Sequence, residues 1–153
     1  MSERAKLDGA AWAVFFVRWV LGLIFFMAGF WKTFELTPAG HVRRFFLGAF
    51  AATWIPAWLL WTIGVAIPLV ELAAGALVCL GWRRREAYVA LGLILVVVTY
   101  GHLLLEPLYD TTRHIFPRLV LLTFALATPP ERDVLSVDEW LRSRRGAAAP
   151  PET

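Results

Sequence analysis

Almost uncharged stretches that match the hydrocarbon thickness of a bilayer recur along this chain, and they decide what it can fold into. One runs from Ala11 to Trp31 and is interrupted only by Arg18. The next, Ala57 to Trp82, carries Glu71 as its single charge, and Ala87 to Leu105 carries none before Glu106-Pro107. A shorter stretch from His114 to Thr128 closes at Pro129-Pro130. A spanning helix needs roughly 20 apolar residues, so the expected spans are 11–31, 57–82, 87–105 and 114–128. The stretch from Ala10 to Trp31 exceeds a signal-peptide core of about 7–15 residues and is read as the first span.

The resulting expectation is an all-α integral membrane four-helix bundle, with residues 1–153 forming a single membrane domain. Between the first two spans, Thr37-Pro38 reads as an N-cap followed by a first-turn proline. His41, Arg43 and Arg44 then stand beside Phe45, Phe46, Leu47 and Phe50, which predicts an interfacial helix between helices 1 and 2. Trp54, Trp58 and Trp61 read as an aromatic belt. Residues 129–153 form a tail in which Ser136-Val137-Asp138-Glu139 has a capping-box pattern, opening a short amphipathic C-terminal helix. The Ala/Pro-rich end from Gly146 is expected to be disordered.

Composition supports lipid as the solvent: 59% of residues are hydrophobic and 18% charged, against about 45–50% and 25% in soluble chains. The net charge of +3 does not point to nucleic acid, because the basic residues gather at the ends of apolar stretches. The lone Cys79 excludes an internal disulfide, a CxxC redox pair and a cysteine-rich metal cluster. His102 and His114 fall at different depths, so no haem is expected, and no clustered ligand spacing points to a metal site.

Orientation follows from the basic residues. Arg4, Lys6, Arg83, Arg84, Arg85, Arg132, Arg142, Arg144 and Arg145 share one side, and they outnumber Lys32, Arg43, Arg44, Arg113 and Arg118 on the other. That bias places both termini in the cytoplasm of a bacterial-type inner membrane, with 129–153 as a cytoplasmic tail.

A charge within a spanning helix costs about 2.5–3.5 kcal/mol on insertion scales, so each one needs a reason. Counted inward from Lys32 and from Ala57, Arg18 and Glu71 both lie roughly 20 Å down, which predicts a buried Arg18–Glu71 pair. At the outer end His102 and Glu106 share a helix face, near Lys32 and Glu35, with Asp110, Arg113 and His114 following in the next connection. A histidine and carboxylates raised toward neutrality by burial could exchange protons with a bound quinone. The candidate catalytic groups are therefore Glu71, His102, Glu106 and Asp110. Arg18, Trp31, Lys32, Tyr100, Arg113 and His114 are the candidate quinone or substrate contacts.

The segment Arg18-Trp-Val-Leu-Gly-Leu-Ile-Phe-Phe-Met-Ala-Gly-Phe-Trp-Lys32 resembles the DoxX family of small four-helix membrane proteins. So do Pro68-Leu-Val-Glu71-Leu-Ala-Ala-Gly75 and Ser136-Val-Asp138-Glu-Trp-Leu141. The resemblance spans residues 12–141. It implies the membrane subunit of a quinone-linked oxidoreductase of the thiosulfate:quinone type, with Arg18, Lys32 and Glu71 as the family-pattern residues. The alternative is a non-catalytic anchor or assembly factor for a soluble redox enzyme. Either role calls for surrounding lipid and for a soluble redox partner, a second subunit or a second copy of the chain. The aromatic insert from His41 to Trp61 departs from the family pattern.

Overall fold

The computed structural model describes residues 7–147. Arg4 and Lys6, which entered the orientation argument, and residues 148–153 of the Ala/Pro-rich end lie outside them. Among the described residues all regular structure is helical. Helix α1 (Gly9–Phe30) starts at Asp8, whose carboxylate accepts from the Ala11 amide at 2.9 Å, and runs on through a π-helical turn, Trp31–Glu35. Thr37 then caps the short α2 (Pro38–Val42), its hydroxyl accepting from the Gly40 amide at 3.1 Å. Its φ of 64° is unusual for a β-branched residue, so the reversal out of α1 is a strained one. A second π-helical turn, Arg43–Leu47, and a series of turns lead to α3 (Ala57–Leu80).

Helix α3 ends at Gly81, whose φ of 68° suits glycine and lets the Trp82 amide reach back to Leu77 O at 3.0 Å. Helix α4 (Arg84–Leu105) stops before Pro107, where the residue ahead of a proline is driven out of helical geometry. Helix α5 (Phe116–Ala127), a 3-10 turn (Pro130–Arg132) and α6 (Val137–Ala147) complete the described residues. The segments Gly9–Glu35, Ala57–Leu80 and Arg84–Leu105 are long and apolar enough to cross a membrane, whereas α5 is a shorter apolar helix of 12 residues.

Close approach of α1 and α3 sets the register of the whole assembly. A Cβ on Gly75 would lie 2.5 Å from the Phe26 backbone nitrogen, and one on Gly22 would lie 2.6 Å from Cys79 Sγ. Gly29 likewise abuts the backbone of Leu72. Small residues at such crossings let backbones pack where no hydrophobic drive between helices exists in lipid. Around this contact Leu21, Phe25, Ala74, Val78, Leu91, Leu95 and Leu122 form the core. Outward-facing Leu93 and Val96 are 63% and 66% exposed, an inside-out pattern that suits a lipid surround.

The segment 38–50 is not a helix lying free in an interface. His41 and Val42 are buried, with Val42 and Phe46 fitted against Gly64 of α3. Pro68 explains this attachment. It has no amide hydrogen to donate four residues back, so the carbonyl of Gly64 is left without its helical partner. His41 Nδ1 supplies the missing donor at 2.7 Å. Residues 133–138 of the tail pack against the end of α3 and the start of α4.

Candidate functional site

Two groups of buried charges sit at opposite ends of the helices. At the end that carries the 81–83 turn and the tail, Arg18 is 1% exposed and turned toward the last turn of α3. Its Nη1 donates to the carbonyls of Val78 (3.0 Å) and Cys79, and its Nη2 donates to Leu135 O at 2.7 Å. The carbonyls at a helix C-terminus lack intrahelical donors and carry the negative end of the dipole, so a guanidinium fits there. Nε faces Asp133 Oδ2 at 3.0 Å, and the same oxygen accepts from Arg84 Nη1 at 2.6 Å.

Asp138 completes this junction by capping α4. Its carboxylate accepts from the Arg83 and Arg84 amides at 3.0 and 3.2 Å and faces Arg84 Nε at 3.2 Å. Burial raises the Asp138 pKa, but the two amides and the Arg84 side chain outweigh it and hold the carboxyl below the usual range. Ser136 Oγ accepts from the Glu139 amide at 3.3 Å, the bond expected of the capping pattern.

At the other end Lys32 Nζ donates to Glu71 Oε2 at 2.6 Å, with side-chain exposures of 21% and 4%. The expected Arg18–Glu71 pair is therefore corrected. Glu71 belongs to Lys32, and Arg18 belongs to Asp133. An Arg18–Glu71 pair requires Lys32 and Ala57 to be level. The glycine crossings instead set Gly29 beside Leu72 and Phe26 beside Gly75, which brings Lys32 to Glu71 and carries Arg18 to the end of α3.

The Lys32–Glu71 pair lines a cavity of about 490 Å³. Its walls are mostly apolar: Phe25, Ile67 and Leu95 from the long helices, and Phe45, Phe46 and Phe50 from the inserted segment. His41, His102, His114 and Arg118 add the remaining polar edges. His102 stacks on Tyr109 with ring centroids 4.2 Å apart and planes inclined by 6°. Arg118 lies over the Phe25 ring at 5.5 Å. Burial lowers the His41 pKa, the Gly64 hydrogen bond opposes that, and the Lys32 charge adds to the lowering. A neutral His41 that donates from Nδ1 keeps Nε2 as an acceptor.

Of the residues singled out in the sequence, Trp31, Lys32, Glu71, His102 and His114 meet around this cavity. Arg18 lies at the other end. Glu106, Arg113 and Tyr100 do not line it, and Tyr100 is 51% exposed. Asp110 instead accepts from the Thr112 hydroxyl and amide, and those bonds lower its pKa. His41, the three insert phenylalanines, Tyr109 and Arg118 were missed as site residues. Pro68 within a span was the available signal, because it announces a free carbonyl four residues earlier. Asp133 was missed as the partner of Arg18, and nothing in its local sequence marks it.

The family model for methylamine utilisation protein MauE, a membrane family, matches residues 10–110. That match corrects the resemblance to DoxX. The quoted residues largely reflect close helix crossings and buried charges, which a different small membrane family can also require, and Ser136–Leu141 lies outside the matched region. No curated protein and no solved structure matches the chain.

Proposed function

We propose, from the premise that this chain belongs to the family of methylamine utilisation protein MauE, that it is a multi-pass membrane subunit whose cavity receives a quinone in an amine-utilisation system. The observation that carries the reading is the Lys32–Glu71 pair set in the wall of a largely aromatic and aliphatic cavity. A volume of about 490 Å³ falls within the roughly 300–1,000 Å³ typical of small-molecule sites. Flat phenylalanine rings suit a planar head group, Lys32 and His102 can offer hydrogen bonds to its oxygens, and His41 Nε2 can accept one from the hydroxyl of the reduced form.

A quinone takes up two electrons and two protons when it is reduced. The protons have a route through Glu71 and the histidines, and the electrons come from the amine-derived substrate or a soluble redox partner. In this reading α5 makes a fourth crossing, helped by Arg113 reaching toward the interface. The basic excess at the 81–83 end then places the termini on the cytoplasmic side of a bacterial-type inner membrane, with the cavity near the outer face. A second reading, an anchor or assembly factor for a soluble enzyme, is favoured by α6, where Trp140 is 51% exposed beneath Arg144.

The test is a binding titration of the full chain in lipid nanodiscs with a short-chain ubiquinone analogue. The Lys32→Gln/Glu71→Gln double variant removes both charges together and leaves no uncompensated ion behind. Losing a hydrogen bond from a charged donor, worth about 1.5–3 kcal/mol, should weaken binding by roughly ten- to a hundredfold. Absence of binding by the unaltered chain, or equal binding by the double variant, overturns the quinone reading.

A further inference from the structure

The end of the protein opposite the candidate quinone site holds a second and larger cavity, of about 780 Å³, that neither the Lys32–Glu71 pair nor the aromatic insert touches. It is a groove between the start of α4, the end of α5 and the flank of α6. Its polar lining is strongly biased. Arg83, Arg84, Arg85, Arg142 and Arg145 face it, against Glu86, Asp133 and Asp138.

The acids do not balance these cations locally. Asp133 is shared between Arg84 and Arg18, and Asp138 is engaged by Arg84 and two backbone amides. Glu86 sits 3.7 Å from Arg83. Arg142 holds Glu139 at 2.8 Å in an exposed i,i+3 pair that a stronger anion can displace. Among the described residues Arg85 and Arg145 have no acidic partner within ion-pair distance. An excess of guanidinium therefore faces a groove large enough for a ligand.

Location decides which anion fits. Helix α4 begins at Arg84 and is long and apolar enough to cross a membrane, and α5 ends at Ala127, so the groove lies level with the lipid head groups. Val14, Tyr88, Ala125 and Leu126 form an apolar wall that continues from the arginines toward the helices. Trp82 at the rim is 46% exposed, as a residue at a membrane–water boundary would be. Basic pockets between membrane helices bind the phosphates of anionic lipids, and arginine grips phosphate in a bidentate fork.

We propose that this groove is a binding site for an anionic phospholipid, with Arg85, Arg142 and Arg145 on the phosphate and an acyl chain against the Val14–Leu126 wall. A bound lipid would join α6 to α4 and α5 on the surface side of the Arg18–Asp133–Arg84 junction.

Native mass spectrometry of the full chain in detergent tests this with cardiolipin, phosphatidylglycerol, phosphatidylcholine and inorganic phosphate as separate probes. Cardiolipin and phosphatidylglycerol adducts should form, and phosphatidylcholine should not. Inorganic phosphate in excess should leave the lipid adducts in place. The Arg85→Gln/Arg142→Gln/Arg145→Gln variant, whose side chains lie outside the buried junction, should retain the native melting temperature. Its cardiolipin affinity should fall on the order of a hundredfold, from the per-arginine contribution to anionic lipid binding. The Arg43→Gln/Arg44→Gln variant at the other end should bind as the unaltered chain does. Equal binding of phosphatidylcholine, displacement by inorganic phosphate, or unchanged binding by the triple variant overturns the proposal.

Discussion

Replacing Asp133 with asparagine is expected to destabilise the folded chain by about 3–5 kcal/mol, the range for removing one partner of a buried ion pair. Asp133 is 2% exposed, and its Oδ2 faces both Arg18 Nε at 3.0 Å and Arg84 Nη1 at 2.6 Å. Without that charge, two guanidiniums remain close together and largely cut off from water. Arg18 cannot turn away, because its Nη groups are held by carbonyls at the end of α3 and by Leu135 O. The loss should appear as a large fall in melting temperature and aggregation on size exclusion. Truncating Arg18 as well, in an Arg18→Met/Asp133→Asn double variant, should recover part of the loss, since coupled neighbours are not additive. Removing the charge of Glu71 should cost less, because Lys32 is 21% exposed and can find water. If Asp133→Asn melts like the unaltered chain, the junction is not what fixes the tail.

The second large effect concerns the α1–α3 crossing. Gly75→Val should cost about 3 kcal/mol, the upper end of the usual range for overpacking a tight core. A Cβ there would stand 2.5 Å from the Phe26 nitrogen, 2.8 Å from its Cα and 3.0 Å from Gly22 O. These are backbone atoms on a rigid helix, so no rotamer change relieves the overlap. The helices would have to separate, and the Lys32–Glu71 distance of 2.6 Å would open with them. Gly92→Ala is the matched control. Its Cβ meets only Leu122 Cδ2 at 3.4 Å, a movable side-chain tip, so its stability should stay within about 0.5 kcal/mol of the native value. Thermal unfolding of both variants in the same detergent checks the contrast, and equal melting of the two would remove the crossing as the register-setting contact.

Hydropathy made the long helices legible, because the requirement for internally satisfied backbone leaves a lipid-embedded chain few alternatives. Helix ends were readable where local chemistry sets them, at Thr37 before Pro38 and at Glu106 before Pro107, whereas the second span was expected to run to Trp82 and stops at Gly81. Charge pairing was not readable in the same way. Arg18 and Glu71 are both buried, but which charge meets which depends on register, and register depends on where glycines allow backbones to touch. The amphipathic pattern of 41–50 also had two solutions, lipid or a neighbouring helix. Gly64 and Pro68 chose the second by opening a space and freeing a carbonyl. Around the candidate site, residues within helices such as Trp31, Lys32, Glu71 and His102 could be anticipated from spacing. Arg118 on α5 came in through tertiary packing, over the ring of Phe25, which spacing along one helix does not reveal.

The most direct test of the quinone-site account is photoaffinity labelling of the nanodisc-embedded chain with an azidoquinone, followed by peptide mapping. The account predicts label on the cavity-lining parts of residues 41–50 and 102–118, suppressed by excess unlabelled quinone. Label confined to lipid-facing Leu93 and Val96 or to residues 128–147, or label that excess quinone does not suppress, would contradict it.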